Sequence, residues 1–181
     1  IILFTLILYG YNQQIRFNSE YNFNNPVGMR WFNEKVLEKM ISFSRVLKEK
    51  NVIFECSDYV SLLKKIPKNA FFYMDPPYML TMGSYNDGKR GFRGWTKELE
   101  KEFLTTADEI DKKNNKFMIS YVLQHNGKIN REVKRWIKNK GYRLIKLEPK
   151  PGWGGRNAGI NRKEVLIVNY DQTKSTHHNK R

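Results

Sequence analysis

The chain has 181 residues, enough for one ordinary domain with a real core, and its 33 Lys and Arg against 18 Asp and Glu give a formal charge of +15. The basic residues are spread along the chain rather than confined to a tail; such a surface suits a polyanion, although a solvated protein of lysine-rich composition carries the same charge. Cys56 is the only cysteine, which excludes an internal disulfide and a cysteine-clustered zinc site and makes the cytoplasm the default location.

Residues 1–9 are apolar but far short of the about 20 needed to span a bilayer, and they lack a basic lead-in or a small-residue cleavage site. A core helix ending near Gly10 is expected there. Because the chain opens on Ile1 and runs straight into apolar sequence, an upstream part is expected to be missing. Residues 11–30, rich in asparagine, aromatics, glycine and proline without a clear period, read as an irregular lobe.

From Trp31 to Lys50 the residues Phe32, Val36, Leu37, Met40, Ile41 and Leu47 keep mostly helical spacing, an amphipathic helix. Short β-branched or aromatic runs then predict strands at 52–55, 70–74, 117–122, 142–147 and 165–170. Helical patterns separate them, one on Leu99, Phe103, Leu104, Ala107 and Ile110 after a Thr96 N-cap, another on Ile129, Val133, Trp136 and Ile137 closed by Gly141. Alternating strands and helices predict an α/β domain with a mostly parallel sheet covered on both faces, with ligands beyond the C-terminal strand ends. Residues 173–181 are expected to be a disordered basic tail.

The run Phe71-Phe72-Tyr73-Met74 delivers Asp75-Pro76-Pro77-Tyr78 to that carboxyl edge. An adenine amino nitrogen is a poor nucleophile, because its lone pair is delocalised into the ring, and it must be polarised without a strong base. Asp75 can accept one of its N–H bonds and the Pro76 carbonyl the other. Two prolines hold φ at about −65° and bring no amide donors, which makes a rigid acceptor rail. Tyr78 offers a face on which an extruded base can stack. An Asp-Pro turn at a strand end is the plainer alternative, but Asp-Pro-Pro-Tyr directly after a hydrophobic strand is far more specific.

Asp75-Pro76-Pro77-Tyr78 is similar to the catalytic signature of the amino-methyltransferases, and its surroundings resemble the Dam-like (D12 class) DNA adenine N6-methyltransferases. Phe54-Glu55-Cys56-Ser57-Asp58-Tyr59 lies where that family has a strand followed by an acidic-aromatic pair. The resemblance implies that Asp58 binds the amino group of S-adenosylmethionine with Tyr59 beside it, and that Asp75 also borders the cofactor. Asp58 could equally cap the following helix.

Tyr9-Gly10-Tyr11-Asn12, Arg16-Phe17-Asn18 and Phe23-Asn24-Asn25-Pro26-Val27-Gly28 resemble the family's target-recognition lobe, with Tyr11, Asn12 and Arg16 on the base side. The glycine, basic and aromatic stretch 83–95, with Lys89, Arg90 and Arg93, is expected to close over DNA. A second basic glycine-rich stretch, 152–163, precedes the last strand, as it does in the family.

The resemblance implies a Rossmann-like S-adenosylmethionine-dependent methyltransferase fold, N-terminally incomplete, with a mostly parallel sheet and an antiparallel last strand. Residues 1–30 would be the remainder of a recognition lobe, 31–172 the catalytic core and 173–181 the tail. Double-stranded DNA would be the partner, S-adenosylmethionine the cofactor, and no metal or membrane would be required. The family's glycine-rich loop, which cradles the methionine end of the cofactor, has no counterpart within these residues. Either the chain is a fragment, or a second polypeptide supplies that half. An RNA base methyltransferase, or a catalytically incomplete nucleic-acid-binding piece, are the competing readings.

Overall fold

The computed structural model describes residues 1–18, 20, 22–63, 66–81, 95–147 and 162–171. Two compact units divide the chain, Ile1–Cys56 forming one and the described residues from Ser57 onward the other.

In the first unit, α1 (Ile2–Tyr9) stops at Gly10, whose backbone N–H donates to the Leu6 carbonyl. The expected helix is therefore present, but it is not a core helix: only Leu8 is buried, and Ile1 to Phe4 are exposed. An element apolar all round needs cover on every side, and the unit packs only one side of this one. A 3-10 turn (Tyr11–Gln13) follows, then an irregular stretch and α2 (Glu34–Glu49). Asn33 sets the start of α2 by accepting the Val36 N–H at 3.1 Å.

The expected strand at 52–55 does not form; this stretch joins no sheet among the described residues, and Ile53 and Phe54 are 79% and 76% exposed. Strand preference is realised only where a partner strand and a packing surface are available. The second unit instead opens on a short helix, α3 (Tyr59–Leu63), followed by β1 (Phe71–Met74), α4 (Lys97–Lys112), β2 (Lys116–His125), β3 (Lys128–Ile129), α5 (Arg131–Lys140), β4 (Arg143–Lys146) and β5 (Arg162–Val168).

The sheet order is β1-β2-β5-β4, with β3 folded back on the end of β2. Strands β1 and β2 are parallel, while β5 runs antiparallel to both β2 and β4, so β1, β2 and β4 share a direction and the last strand is reversed. Asn126 and Gly127, at φ 47° and 75°, make the two-residue connection between β2 and β3; both positive angles suit a tight hairpin turn.

Helix α4 starts on Thr96, whose side chain accepts the Leu99 N–H, and α5 ends on Gly141 at φ 70°, the left-handed position that favours glycine. Phe103, Leu104, Ala107 and Ile110 of α4 and Val133 and Ile137 of α5 bury the β2 face that carries Phe117, Ile119, Tyr121 and Leu123. Phe72 and Met74 of β1 join that core, whereas Phe71 and Tyr73 on the opposite face are 55% and 61% exposed. Among the described residues of this unit, α4 and α5 both lie on that one side of the sheet. No helix among the described residues is long and apolar enough to cross a membrane.

Candidate active site

The parallel pairing of Met74 with Ile119 sets Asp75, the next residue, beside Ser120 at the carboxyl edge of the sheet. The chain then turns on Pro76, which is buried, and Pro77, and Tyr78 comes back toward the strand end. The Tyr78 hydroxyl donates to Asp75 Oδ1 and lies 2.9 Å from Ser120 Oγ. Its ring meets Tyr121 edge to face at 5.6 Å between centroids, and the Arg162 guanidinium lies 5.9 Å from its centre. Burial, and then the hydrogen bond to Asp75, push the Tyr78 phenol up to about 12. Asp75 itself is exposed. An acceptor on a rigid Pro-Pro turn, next to a partly exposed aromatic face, is an arrangement able to hold a planar amino-bearing ring.

Behind Tyr78 is a polar group that the sequence did not announce. Glu100 of α4 is 2% exposed and accepts hydrogen bonds from the Tyr121 hydroxyl and from Asn130 Nδ2, the latter at 3.0 and 3.1 Å to its two oxygens. Asn130 Nδ2 also lies 3.3 Å from the Tyr121 hydroxyl, and Asn130 Oδ1 caps α5 by accepting the Val133 N–H at 3.1 Å. Burial, followed by the bond to Glu100, raises the Tyr121 phenol pKa.

Asp58 does act as a helix cap: its Oδ1 accepts the Val60 N–H at 2.9 Å and its carbonyl accepts from Ser61 N and Oγ at 3.0 and 2.7 Å. It remains exposed, and a carboxylate has a second oxygen for a ligand. Tyr59 and Trp95 both pack edge-on against Phe103, at 6.0 and 5.9 Å. The Tyr59 hydroxyl and Trp95 Nε1 are buried without a hydrogen-bond partner among the described residues. Burial, then the charges of Glu102 and Asp58, raise the Tyr59 pKa, so the hydroxyl remains a donor. Two orphaned donors beside an acidic cap fit the adenosine end of a nucleoside cofactor, which is rich in ring and ribose acceptors and has one amino donor.

Tyr11, Asn12 and Arg16 belong to the other unit, and all three are exposed. They project from a clasp in which Tyr11 N donates to Pro26 O at 2.8 Å and Gly28 N to Tyr9 O at 2.7 Å. Asn25 Nδ2 ties down the turn by donating to the Tyr11 and Gln14 carbonyls at 3.1 and 2.8 Å. A Cβ on Gly10 would sit 2.6 Å from both Asn25 Nδ2 and the Leu6 carbonyl, so only glycine lets these segments approach. Lys89, Arg90 and Arg93 lie outside the described residues, as do 83–94, 152–161 and 173–181. Helix α5 adds a feature that sequence reading passed over: Arg131, Lys134, Arg135 and Lys138 are exposed along one helical face, opposite Val133 and Ile137.

The chain matches the D12 class N6 adenine-specific DNA methyltransferase family over residues 1–150. It is 37% identical over 172 residues to the type II methyltransferase M.FokI of Planomicrobium okeanokoites, 34% over 170 residues to modification methylase LlaI of Lactococcus lactis subsp. lactis and 33% over 173 residues to modification methylase StsI of Streptococcus sanguinis. Each match covers 93% of this chain and 26% of the relative, so the chain spans about a quarter of the length of these proteins. With its Asp-Pro-Pro-Tyr turn at the carboxyl edge of the sheet, this chain belongs to the D12 class of N6 adenine-specific DNA methyltransferases.

Proposed function

We propose that these residues form the target-binding and adenosine-binding part of an enzyme that transfers a methyl group from S-adenosylmethionine to adenine N6 in double-stranded DNA. The observation that carries this is the Asp75-Pro76-Pro77-Tyr78 turn, with Tyr78 anchored to Asp75 and Ser120 beside the end of β1. The sheet order, with its reversed last strand, supports a Rossmann-like methyltransferase fold. The relatives' names as modification methylases support a restriction-modification setting. Residues 1–30 would read the target, with Tyr11, Asn12 and Arg16 toward the bases, and the exposed basic face of α5 would lie along phosphates.

The cofactor, when bound, supplies an electrophilic sulfonium methyl group. Asp58 and the Tyr59 hydroxyl would hold its adenosine end. Tyr78 would stack on an adenine turned out of the duplex, replacing part of the stacking given up on flipping. With Oδ1 of Asp75 engaged by Tyr78, Oδ2 would accept one N–H of the target amino group and the Pro76 carbonyl the other. Localising the nitrogen lone pair in this way readies it for in-line attack, and it requires no strong base.

Asp75→Ala in the complete natural protein should abolish tritium transfer from labelled cofactor to duplex DNA while leaving cofactor binding nearly unchanged. Wild-type rates in that variant would remove Asp75 from the chemistry. Faster methylation of RNA than of duplex DNA by the wild-type protein would redirect the reading to an RNA base.

A further inference from the structure

We infer that Glu100, Tyr121 and Asn130 form a buried brace that positions Tyr78 and the Asp75–Met79 turn for the target base. The inference rests on the proposed methyl transfer for its kinetic consequence, but not for its geometry.

The brace joins three elements at the carboxyl edge of the sheet: Glu100 from α4, Tyr121 from β2 and Asn130 at the start of α5. It reaches the turn through the Tyr121 ring, which meets the Tyr78 ring edge to face at 5.6 Å between centroids. A carboxyl group that is 2% exposed is costly to bury, and two apolar side chains would fill the same space without that penalty. What an apolar pair cannot do is fix a direction. Three hydrogen bonds onto one carboxyl group set the Tyr121 ring angle, and the edge-to-face contact transmits that angle to Tyr78. Among the described residues the Tyr78 side chain also meets Asp75, Ser120 and the Arg162 guanidinium, and in the proposed mechanism Asp75 must also serve the target. These three residues touch neither base nor cofactor in this scheme, so they are positioning residues.

Tyr121→Phe retains the ring and removes the hydroxyl that binds Glu100 and Asn130. In the complete natural protein it should lower kcat by about 10- to 100-fold, the range for a misplacement of about 1 Å at a reacting centre, with KM for cofactor within about twofold. Glu100→Gln, which keeps an acceptor oxygen, should recover most of the rate. In the Tyr78→Ala background Tyr121→Phe should add less than its single-variant loss, because both act on the same turn. A direct readout independent of catalysis is the 3-fluorotyrosine resonance of Tyr78, assigned by its absence in Tyr78→Phe. It should shift in Tyr121→Phe and stay close to wild type in Glu100→Gln. If Tyr121→Phe does not fold, Asn130→Ser provides the second perturbation, with the same shift expected. An unmoved resonance, or losses that multiply in full in the double variant, overturns the brace. A moved resonance in a protein that methylates no DNA supports the brace and sinks the methyl-transfer reading instead.

Discussion

Asp75 and Tyr78 are three residues apart and share a hydrogen bond, and the proposed mechanism gives them different work. If Tyr78 contributes mainly stacking, Tyr78→Ala should cost about 1 to 3 kcal/mol of target-base affinity, less than the loss of transfer in Asp75→Ala; tritium transfer to duplex DNA compares the two. The phenol also makes a prediction about pH. Its pKa rises from an ordinary 10.0 to about 12 in the fold, so the neutral form is the one the fold favours. Its stabilising contribution is complete below pH about 10 and disappears as pH rises through about 12. Denaturant unfolding of wild type and Tyr78→Phe should therefore show a constant stability gap up to pH about 10 and a narrowing gap above it. The motif residues were legible because Asp-Pro-Pro-Tyr is contiguous. Glu100 was not: in Lys97-Glu98-Leu99-Glu100-Lys101 it resembles a solvated helix charge, and its partners Tyr121 and Asn130 lie 21 and 30 residues away.

Among the elements, the helix ends and the longer strands β1, β2, β4 and β5 were legible, whereas one expected strand does not form and one short hairpin strand was missed. Thr96 and Gly141 set their helix ends with neighbouring backbone groups, and both behave as expected. The run 52–55 has strand composition, but a strand needs a partner from elsewhere in the chain, and Ile53 and Phe54 remain exposed. Strand β3 was missed although Asn126-Gly127 is a strong hairpin signal; its two residues are too short to show an alternation. Helix α5 supplies the prediction at this scale. Arg131 with Arg135 and Lys134 with Lys138 are like-charge i,i+4 pairs, each costing about 0.2 to 0.5 kcal/mol in an isolated helix. Lys140 differs, for it pairs with Asp108 at 2.8 Å. If the exposed face lies along phosphates, Lys134→Gln with Arg135→Gln should reduce the slope of log K against log salt by about 0.9 for each phosphate no longer neutralised. Thermal melting should not fall. Lys140→Gln should do the opposite, lowering stability slightly and leaving the slope in place. Equal slopes in wild type and the double variant would return α5 to an ordinary solvated helix.

At the scale of the whole molecule, the proposed function gives the adenosine end to Asp58, Tyr59 and Trp95 and the target amino group to Asp75 and Tyr78. The described residues place these groups in one unit. They present no glycine-rich strand-to-helix turn for the methionine end, and β1 lies at one end of the strand order with Phe71 and Tyr73 largely open on one face. The chain also spans only 26% of its relatives' length. Residues 1–181 alone should therefore bind S-adenosylmethionine weakly and methylate poorly. Half of the cofactor's surroundings would be missing, and a tenfold loss of affinity corresponds to only about 1.4 kcal/mol. Addition of polypeptide carrying a strand, a glycine-rich loop and a helix, in the same chain or as a second subunit, should restore turnover. The same addition should cover apolar surface at Phe71 and Tyr73, which otherwise favours self-association. Titration calorimetry with S-adenosylmethionine on the isolated chain, followed by sedimentation with and without the added piece, is the direct measurement. Tight cofactor binding and full turnover by a purified monomer of these residues would show that the cofactor site is complete without it.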